Sequence, residues 1–244
     1  MPEGVVEYKA QLEPLLSVRD LSVEAGGRSI IRDLTFEVKP GGCLAIIGPN
    51  GAGKTLLLNA LMGLVAYRGE VLWSHETRLG YVPQRITADR QIPIHFRDLL
   101  HAKAKLLNVR EDELHAVCDR VGLGPELLDT RIGVLSGGQF QKALIAFALV
   151  GRPNVLLFDE PTASLDEITE ERIYELLHDL QIERGITLIL ISHDLSIVYR
   201  YADTVLCLSK GHPCMGAPRD VLTPELLEDL YSAPPRYYQH VEEH

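Results

Sequence analysis

The sequence predicts an α/β fold with a mostly parallel sheet at its core, an antiparallel β subdomain and an inserted α-helical subdomain. Three observations support this prediction. A glycine-rich stretch, Gly48–Thr55, separates a short apolar run from an apolar helix. Short apolar runs and helical patterns alternate from Val155 to Leu208, which is typical of a parallel sheet covered on both faces. From Phe96 to Leu128 the pattern is only helical, so this stretch is the inserted part.

The N-terminal part of the chain predicts strands. Leu15–Val23 and Ile30–Val38 alternate apolar with polar residues and are joined by a glycine-containing turn, so we expect antiparallel strands laid against the core. Cys43–Ile47 is a short apolar run suited to a buried parallel strand. Gly69–Trp73 and Leu79–Val82 predict two more strands, which we expect to form a hairpin.

The stretch that follows the predicted buried strand fits the phosphate-binding pattern G-x-x-x-x-G-K-S/T. Its glycines let the backbone curl around phosphate oxygens, and the N-terminus of the next helix favours an anion. Lys54 can reach the β- and γ-phosphates of a nucleotide, and the Thr55 hydroxyl can bind Mg²⁺. The predicted nucleotide-binding residues of this loop are Gly48, Pro49, Asn50, Gly51, Ala52, Gly53, Lys54 and Thr55.

The rest of the chain predicts helices first and then an alternation of strands and helices. Phe96–Leu128 contains two amphipathic helices, broken near Asn108 and near Gly122–Pro125. The later predicted elements are strands at Val155–Phe158, Thr187–Ile191 and Val205–Leu208, the last of the sheet, and helices at Glu167–Leu180, Leu195–Tyr201 and just beyond Thr223.

Ionisable residues follow two of these strands at their carboxyl ends, where ligands of α/β sheets bind. Asp159 and Glu160 follow Val155–Phe158, and His193 follows the next strand by two residues. We therefore expect all three at the same edge as the phosphate-binding loop. Asp159 has the chemistry to hold Mg²⁺, Glu160 can orient or deprotonate a water, and His193 can hydrogen-bond the γ-phosphate.

A second anion site is predicted at Leu135–Gln139. Ser136 is a natural helix N-cap, and Gly137 and Gly138 leave backbone N–H groups uncovered at the start of an apolar helix. The site is far from the loop in sequence. One nucleotide that bridges two copies of the protein would use both sites.

Composition and charge limit the function classes. The net charge of −10 argues against nucleic-acid binding, because no basic field offsets phosphate repulsion. The four cysteines are widely spaced, which favours a reducing cytosol over a disulfide framework. The N-terminus lacks the basic and apolar regions of a signal peptide. Because no apolar run reaches the about 18 residues that span a bilayer, we expect a protein that is soluble on its own.

Together these stretches resemble the nucleotide-binding subunit of an ATP-binding-cassette (ABC) transporter, from about Leu15 to Pro218. Gly48–Thr55 is similar to the Walker A motif of that family, and Leu135–Gln139 to its signature motif. The other matches are Val155–Asp159 with Glu160 (Walker B and catalytic glutamate), Gln84 (Q-loop), Ser164-Leu165-Asp166 (D-loop) and His193 (switch histidine).

The resemblance implies a P-loop NTPase core with ATP and Mg²⁺ as cofactors. Two copies would enclose two ATP molecules, each between the Walker A motif of one copy and the signature motif of the other. Mg²⁺ would be bound through Thr55, Gln84 and Asp159, whereas Glu160, His193 and Gln84 would be catalytic. The further ATP-binding residues implied are Ser136, Gly137, Gly138, Gln139 and Asp166.

The resemblance also implies domain organisation and partners. Residues 15–240 would form a single ABC ATPase domain, with a RecA-like core and antiparallel β lobe in 15–84 and 136–222 and a helical lobe at about 85–135. Residues 1–14 would be an N-terminal arm and residues 223–244 a C-terminal tail. Through the Gln84 region and the helical lobe, the protein would contact a transmembrane permease at the cytoplasmic face of the membrane. An extracytoplasmic metal-binding protein would be an indirect partner. Nucleic acid would not be a partner.

A finer resemblance concerns the cargo. Three segments resemble the zinc and manganese importers of bacteria. They are the compact segment Lys54–Gln84, which contains the expected hairpin, the segment Asp89–Ile94, and residues within Val205–Val221. The cargo implied is therefore a divalent metal ion. Two alternatives stay open: an ABC ATPase for another cargo (an iron chelate, haem or an export substrate), and a soluble ABC ATPase that acts on ribosomes or DNA.

The sequence departs from the family pattern at two positions. Ala25 stands where an aromatic residue usually stacks on adenine, so we expect weaker ATP binding unless Tyr8 substitutes. Phe147 stands where an arginine is usual, and extra apolar packing is the only consequence that the sequence suggests. Possible zinc ligands also occur, but as pairs too small for a closed site: His212 with Cys214, and His240 with His244.

Overall fold

A computed structural model describes residues 13–84, 93–160, 166–209 and 213–231. Two sheets and a set of helices make up this part of the chain. One sheet has three strands and is antiparallel, and the other has six strands and is mostly parallel. The predicted α/β fold class is therefore confirmed.

The antiparallel sheet is built from the N-terminal strands, in the order β2-β1-β4. Its strands are β1 (Leu16–Ala25), β2 (Arg28–Val38) and β4 (Arg68–Trp73). β1 and β2 pair antiparallel, as their alternating pattern predicted, and their apolar side chains point to one buried face.

The larger sheet has the order β5-β6-β7-β3-β8-β9, and its first five strands are parallel. Its strands are β3 (Cys43–Ile47), β5 (Leu79–Val82), β6 (Val155–Asp159), β7 (Thr187–Ile191), β8 (Thr204–Cys207) and β9 (Cys214–Gly216). Every residue of β3, β6 and β7 is buried, which explains their continuous apolar runs.

Two predictions about strand pairing are wrong. β4 and β5 form no hairpin: β4 pairs with β1, whereas β5 joins the parallel sheet beside β6. Gly80 explains the second pairing, because a Cβ there would lie 2.7 Å from the Leu156 side chain and 2.8 Å from the Ala148 carbonyl oxygen. β8 is not the last strand either, since β9 pairs antiparallel with it at the edge.

The helices cover the larger sheet, and α2 ends where the sequence predicts a break. They are α1 (Lys54–Leu61), α2 (Phe96–Leu107), α3 (Glu111–Arg120), α4 (Pro125–Leu128), α5 (Gly137–Leu149), α6 (Glu167–Arg184), α7 (Leu195–Tyr201), α8 (Pro218–Val221) and α9 (Pro224–Tyr231), with one 3₁₀ turn at Ile132–Val134. α2 ends at the predicted break, where Asn108 has the left-handed conformation of a C-cap. Within the described ranges, no helix is long and apolar enough to cross a membrane.

The parallel sheet separates two apolar cores. Alternate residues of each buried strand enter opposite cores: in β3, Leu44 and Ile46 pack with α1 and the antiparallel sheet, whereas Ala45 and Ile47 pack with α2, α3, α5 and α6. The carboxyl ends of β3, β6 and β7 thus meet at one edge, between the two cores.

Candidate functional site

The phosphate-binding loop joins β3 to α1 and requires glycine at two places. Gly48 has a φ of 150°, and an added Cβ would collide with the carbonyl oxygen of Leu208. Gly53, the N-cap of α1, has a φ of 98°, and a Cβ there would lie 2.8 Å from the Ile30 side chain. Both φ values lie in the region that L side chains rarely adopt. The loop therefore has the tight, side-chain-free shape that phosphate binding needs.

The Lys54 side chain folds back over this loop. Its Nζ donates to the carbonyl oxygens of Gly48 at 2.9 Å and Pro49 at 3.4 Å. It also lies 3.4 Å from Oε1 of Glu160, and the two side chains are only 9% and 12% exposed. The ammonium group and the carboxylate thus neutralise each other at the sheet edge.

Asp159 ends β6 and is almost completely buried, with 2% exposure. The Thr55 hydroxyl donates to its Oδ1 at 3.1 Å, and the Tyr81 hydroxyl donates to its Oδ2 at 3.4 Å. Burial raises the pKa of Asp159, and the hydrogen bonds from Thr55 and Tyr81 oppose this rise. Burial and the charge of Asp159 together raise the pKa of Tyr81 to about 12.

Glu160 follows Asp159 in a left-handed backbone conformation, with a φ of 35°. The backbone there is strained for a residue with a side chain. Its N–H donates to the Ile191 carbonyl oxygen at 3.3 Å, which ties Glu160 to the end of β7. Of its carboxylate oxygens, Oε1 is buried and accepts no hydrogen bond from the described part of the chain.

Gln84 and His193 reach the same carboxylate from the two strands that flank β6. Gln84, just after β5, donates from Nε2 to Oε2 of Glu160 at 3.1 Å. His193, just after β7, lies with Nδ1 4.0 Å from the same oxygen and is well exposed. Parallel strands place their carboxyl ends side by side, and four residues predicted from separate stretches do meet here: Lys54, Gln84, Glu160 and His193.

The second predicted anion site is the N-terminus of α5. The Ser136 hydroxyl accepts from the Gln139 N–H at 3.3 Å, and the Gln139 side chain accepts from the Ser136 N–H at 3.0 Å. This capping box fixes the first turn and leaves Ser136 and Gly137 exposed to solvent. Within the described residues, no hydrogen bond joins this turn to the phosphate-binding loop of the same chain.

Asp166 lies next to this turn in space. It is the N-cap of α6, and its carboxylate accepts from the N–H and the hydroxyl of Thr169, both at 2.9 Å. A Cβ on Gly138 would lie 2.8 Å from the Thr169 methyl group, so the two helix N-termini pack closely. The other D-loop residues, Ser164 and Leu165, lie outside the described residues, as do Tyr8, His212, His240 and His244.

A groove of about 760 Å³ runs beside the phosphate-binding loop. It lies between Ser29–Leu34, Pro49–Ala52 and Leu208–Ser209. Ala25 is exposed at the end of β1, next to the turn that leads to β2, and is not among the residues that line this groove. Among the described residues, the groove offers the aliphatic side chains of Ile30 and Ile31, and no aromatic ring, to a bound base.

The sequence analysis missed two residues. Tyr81 was interpreted only as a strand residue, although the pairing of β5 with β6 brings its hydroxyl to Asp159. Lys103 was not singled out, yet its Nζ donates to the Phe147 carbonyl oxygen at 2.6 Å and lies 4.5 Å from the centre of the Phe147 ring. A cation from α2 thus contacts Phe147, the residue that stands where an arginine is usual.

The fold and the site define a nucleotide-binding ATPase domain. Residues 31–163 match the family model described as ABC transporter, and the chain belongs to this family. It is therefore an ATP-binding ATPase, the subunit of a membrane transporter that works with a permease.

Several similar proteins are named for zinc import. The chain is 38% identical over 205 residues to the zinc import ATP-binding protein ZnuC of Jannaschia sp. strain CCS1, covering 84% of this chain and 83% of that protein. It is 35% identical over 218 residues to the protein of the same name from Yersinia enterocolitica, covering 88% and 85%.

Solved structures of ABC proteins share the fold. A transporter assigned to the metal-chelate type, in an inward-facing conformation, superimposes with a TM-score of 0.82 at 27% identity, over 91% of this chain and 90% of that one. The cbiO1 protein of Clostridium perfringens, part of the transporter complex cbiONQ, gives a TM-score of 0.74 at 30% identity, over 85% and 90%.

Proposed function

We propose that this protein is the ATP-hydrolysing subunit of a zinc importer. The observation that supports the cargo is the similarity, at 35–38% identity over more than four fifths of the chain, to proteins named as zinc import ATP-binding proteins. Manganese is the other cargo that the sequence resemblance implies.

Nucleotide binding is assigned to the loop Gly48–Thr55. Backbone N–H groups at the start of α1 would hold the phosphates, and Lys54 would move from Glu160 to the β- and γ-phosphates. The 3.4 Å contact between Lys54 and Glu160 supports this step. The Glu160 carboxylate forms the ion pair with Lys54 that a phosphate group would form once a nucleotide binds.

The residues around Asp159 fit Mg²⁺. Thr55, Asp159 and the side-chain carbonyl of Gln84 offer the hard oxygen donors that this ion prefers, and Thr55 Oγ1 lies 3.1 Å from Asp159 Oδ1. Two oxygens at adjacent octahedral positions of Mg²⁺ are about 3.0 Å apart. When bound, Mg²⁺ would neutralise charge that develops on the β- and γ-phosphates.

Hydrolysis is assigned to Glu160, His193 and Gln84. Once Lys54 has turned to the phosphates, Glu160 Oε1 has a free lone pair in a buried position, where it can accept a proton from an attacking water. Gln84 holds the other carboxylate oxygen and thereby the orientation of Glu160. His193 is exposed beside them and can donate a hydrogen bond to the γ-phosphate.

The active form would be a dimer of this chain docked on a permease. The ATP site of each copy would be completed by Ser136, Gly137, Gly138, Gln139 and Asp166 of the other copy. The exposure of Ser136, Gly137 and Asp166 at the starts of α5 and α6 supports this arrangement. The region after Gln84 and the helices α2–α4 would contact the permease at the cytoplasmic face. In this proposal, residues 15–240 act as one domain whose helical lobe spans about 85–135.

The experiment that tests this function measures metal content and ATPase turnover together. A strain that lacks the protein is complemented with the wild type or with Glu160→Gln. We expect low cellular zinc in the deletion strain, restoration only by the wild type, and no turnover by purified Glu160→Gln. Unchanged zinc would contradict the cargo, and a variant that hydrolyses ATP at the wild-type rate would contradict the role of Glu160.

A second cargo class has one supporting observation. The solved structure of metal-chelate type superimposes with a TM-score of 0.82, above that of the cbiO1 protein. In the same strains, a loss of chelated iron uptake with unchanged zinc would favour a metal chelate as the cargo.

A further inference from the structure

Both oxygens of a buried carboxylate are held by hydroxyl groups from different elements. Thr55, in α1, donates to Oδ1 of Asp159 at 3.1 Å, and Tyr81, in β5, donates to Oδ2 at 3.4 Å. Because Asp159 is only 2% exposed, bulk water has little access to either oxygen. Within the part of the chain that the structure describes, these two hydroxyls hold the plane of the carboxylate.

The pairing of β5 with β6 places Tyr81 at Asp159. In this parallel pair, Tyr81 is opposite Leu157 and Val82 is opposite Phe158. Side chains alternate along a strand, so Leu157 and Asp159 lie on the same face of the sheet as Tyr81. The Tyr81 ring packs against the core formed by α1 and the antiparallel sheet, which fixes the direction of its hydroxyl.

We infer that Tyr81 is a positioning residue for the Mg²⁺ of the ATP site, acting through Asp159. This inference rests on the proposed function, in which Thr55 and Asp159 bind the ion. The two proposed ligand oxygens, Thr55 Oγ1 and Asp159 Oδ1, face each other, whereas Tyr81 holds the oxygen that points away from Thr55.

The role of Tyr81 differs from that of Thr55. When Thr55 and Oδ1 of Asp159 turn their lone pairs to a cation, their mutual hydrogen bond is lost. The bond from Tyr81 to Oδ2 is then the one that keeps the carboxylate from rotating. Hydrogen bonds to a ligating carboxylate orient it, and removing such a partner typically costs about 10- to 100-fold in metal affinity.

The test is the Mg²⁺ dependence of nucleotide binding by the full chain. The probe is the non-hydrolysable analogue AMP-PNP, titrated by calorimetry at a series of Mg²⁺ concentrations and in EDTA. For Tyr81→Phe we expect the Mg²⁺ concentration at half-maximal enhancement of binding to rise about 10-fold. In EDTA, binding by Tyr81→Phe should equal that of the wild type.

Tyr201→Phe is the matched control. Its hydroxyl is also buried, but it makes no hydrogen bond with the described residues. This variant should keep the wild-type Mg²⁺ dependence.

Two results with Tyr81→Phe would overturn the inference: an unchanged Mg²⁺ dependence, or an equal loss of binding with Mg²⁺ and in EDTA, which would mean a general structural role. Failure of the proposed function would look different, because the wild type itself would then bind AMP-PNP equally well with and without Mg²⁺.

Discussion

Asp159 is the residue whose burial conflicts most with its charge. Its side chain ends a fully buried strand, and the neighbouring Glu160 adds a second negative charge. Burial is the largest cause that raises its pKa, so the ionised form is held at a cost to the folded protein. A cation that binds between Asp159 and Thr55 would offset this cost.

This conflict predicts a pH-dependent stability. A carboxyl group whose pKa is raised by folding is favourable below its unfolded pKa and loses that contribution as the pH rises through the folded value. Asp159→Asn removes the charge, so we expect it to be more stable than the wild type at pH 7 in EDTA. The gain should shrink as the pH falls towards 3.8, the ordinary value.

Urea denaturation of both proteins across this pH range measures the effect. A gain in stability that does not change with pH would mean that packing, and not the carboxylate charge, is responsible. Asp203→Asn is a useful comparison, because Asp203 also accepts backbone and side-chain hydrogen bonds but lies at the opposite end of β3.

At the scale of elements, Lys103 links α2 to α5. Phe147 is in the last turn of α5, where carbonyl groups have no partner within the helix, and Lys103 satisfies one of them. The ammonium group also lies over the Phe147 ring and at the negative end of the helix dipole. Burial lowers the pKa of Lys103, but these contacts compensate for part of the cost of its charge.

We predict that Lys103→Met destabilises the protein by about 2 kcal/mol, the usual contribution of a hydrogen bond to a charged group. Lys105→Met, an exposed lysine of the same helix, should change the free energy of unfolding by less than about 0.5 kcal/mol. Urea denaturation measures both. Equal effects of the two substitutions would contradict the role given to Lys103.

Phe147→Arg provides a second check on the same contact. It restores the residue type usual in the family but places the arginine next to Lys103, so we expect the variant to be less stable than the wild type. In the Lys103→Met background the arginine should be tolerated better, and the non-additivity measures the coupling between the two positions. Additive effects would show that α2 and α5 are not linked through this pair.

Comparison of sequence and structure shows where local patterns were sufficient. Short-range patterns predicted the phosphate-binding loop, the buried strands and the residues at their carboxyl ends, because hydrophobic periodicity, turn residues and strand ends are local properties of the sequence. Local sequence does not determine which strands pair with each other: β4 and β5 are close in sequence but belong to different sheets. The contacts of Tyr81 and Lys103 depend on such partners, and therefore no single stretch predicted them.

At the scale of the whole molecule, the residues of the proposed ATP site lie on two separate surfaces. The phosphate-binding loop and Glu160 lie at the sheet edge, whereas Ser136 caps a helix whose first turn is exposed. An exposed turn with free N–H groups and no acidic residue is suited to a phosphate brought by another copy. Ser136 would contribute in two ways, as the N-cap of α5 and as a contact for the phosphate. Substitutions can test these two contributions independently.

Ser136→Ala removes the cap, and we expect it to lower the free energy of unfolding by about 1 kcal/mol. Ser136→Asp keeps a good N-cap, so its stability should stay near that of the wild type, but its charge would repel the γ-phosphate. Urea denaturation measures stability, and light scattering with AMP-PNP and Mg²⁺ measures dimer formation. A Ser136→Asp protein that still dimerises would contradict the proposed shared site.

The pairing of Lys54 with Glu160 has a consequence for selectivity in the cell. Because the lysine already has a counter-ion, any incoming anion must compete with a tethered carboxylate whose effective concentration is high. A single inorganic phosphate or sulfate makes fewer contacts with the loop than a nucleotide polyphosphate, so we expect it to compete less well with the carboxylate. In the proposed function, a nucleotide held by several N–H groups of the loop would displace the carboxylate and free Glu160 as the substrate binds.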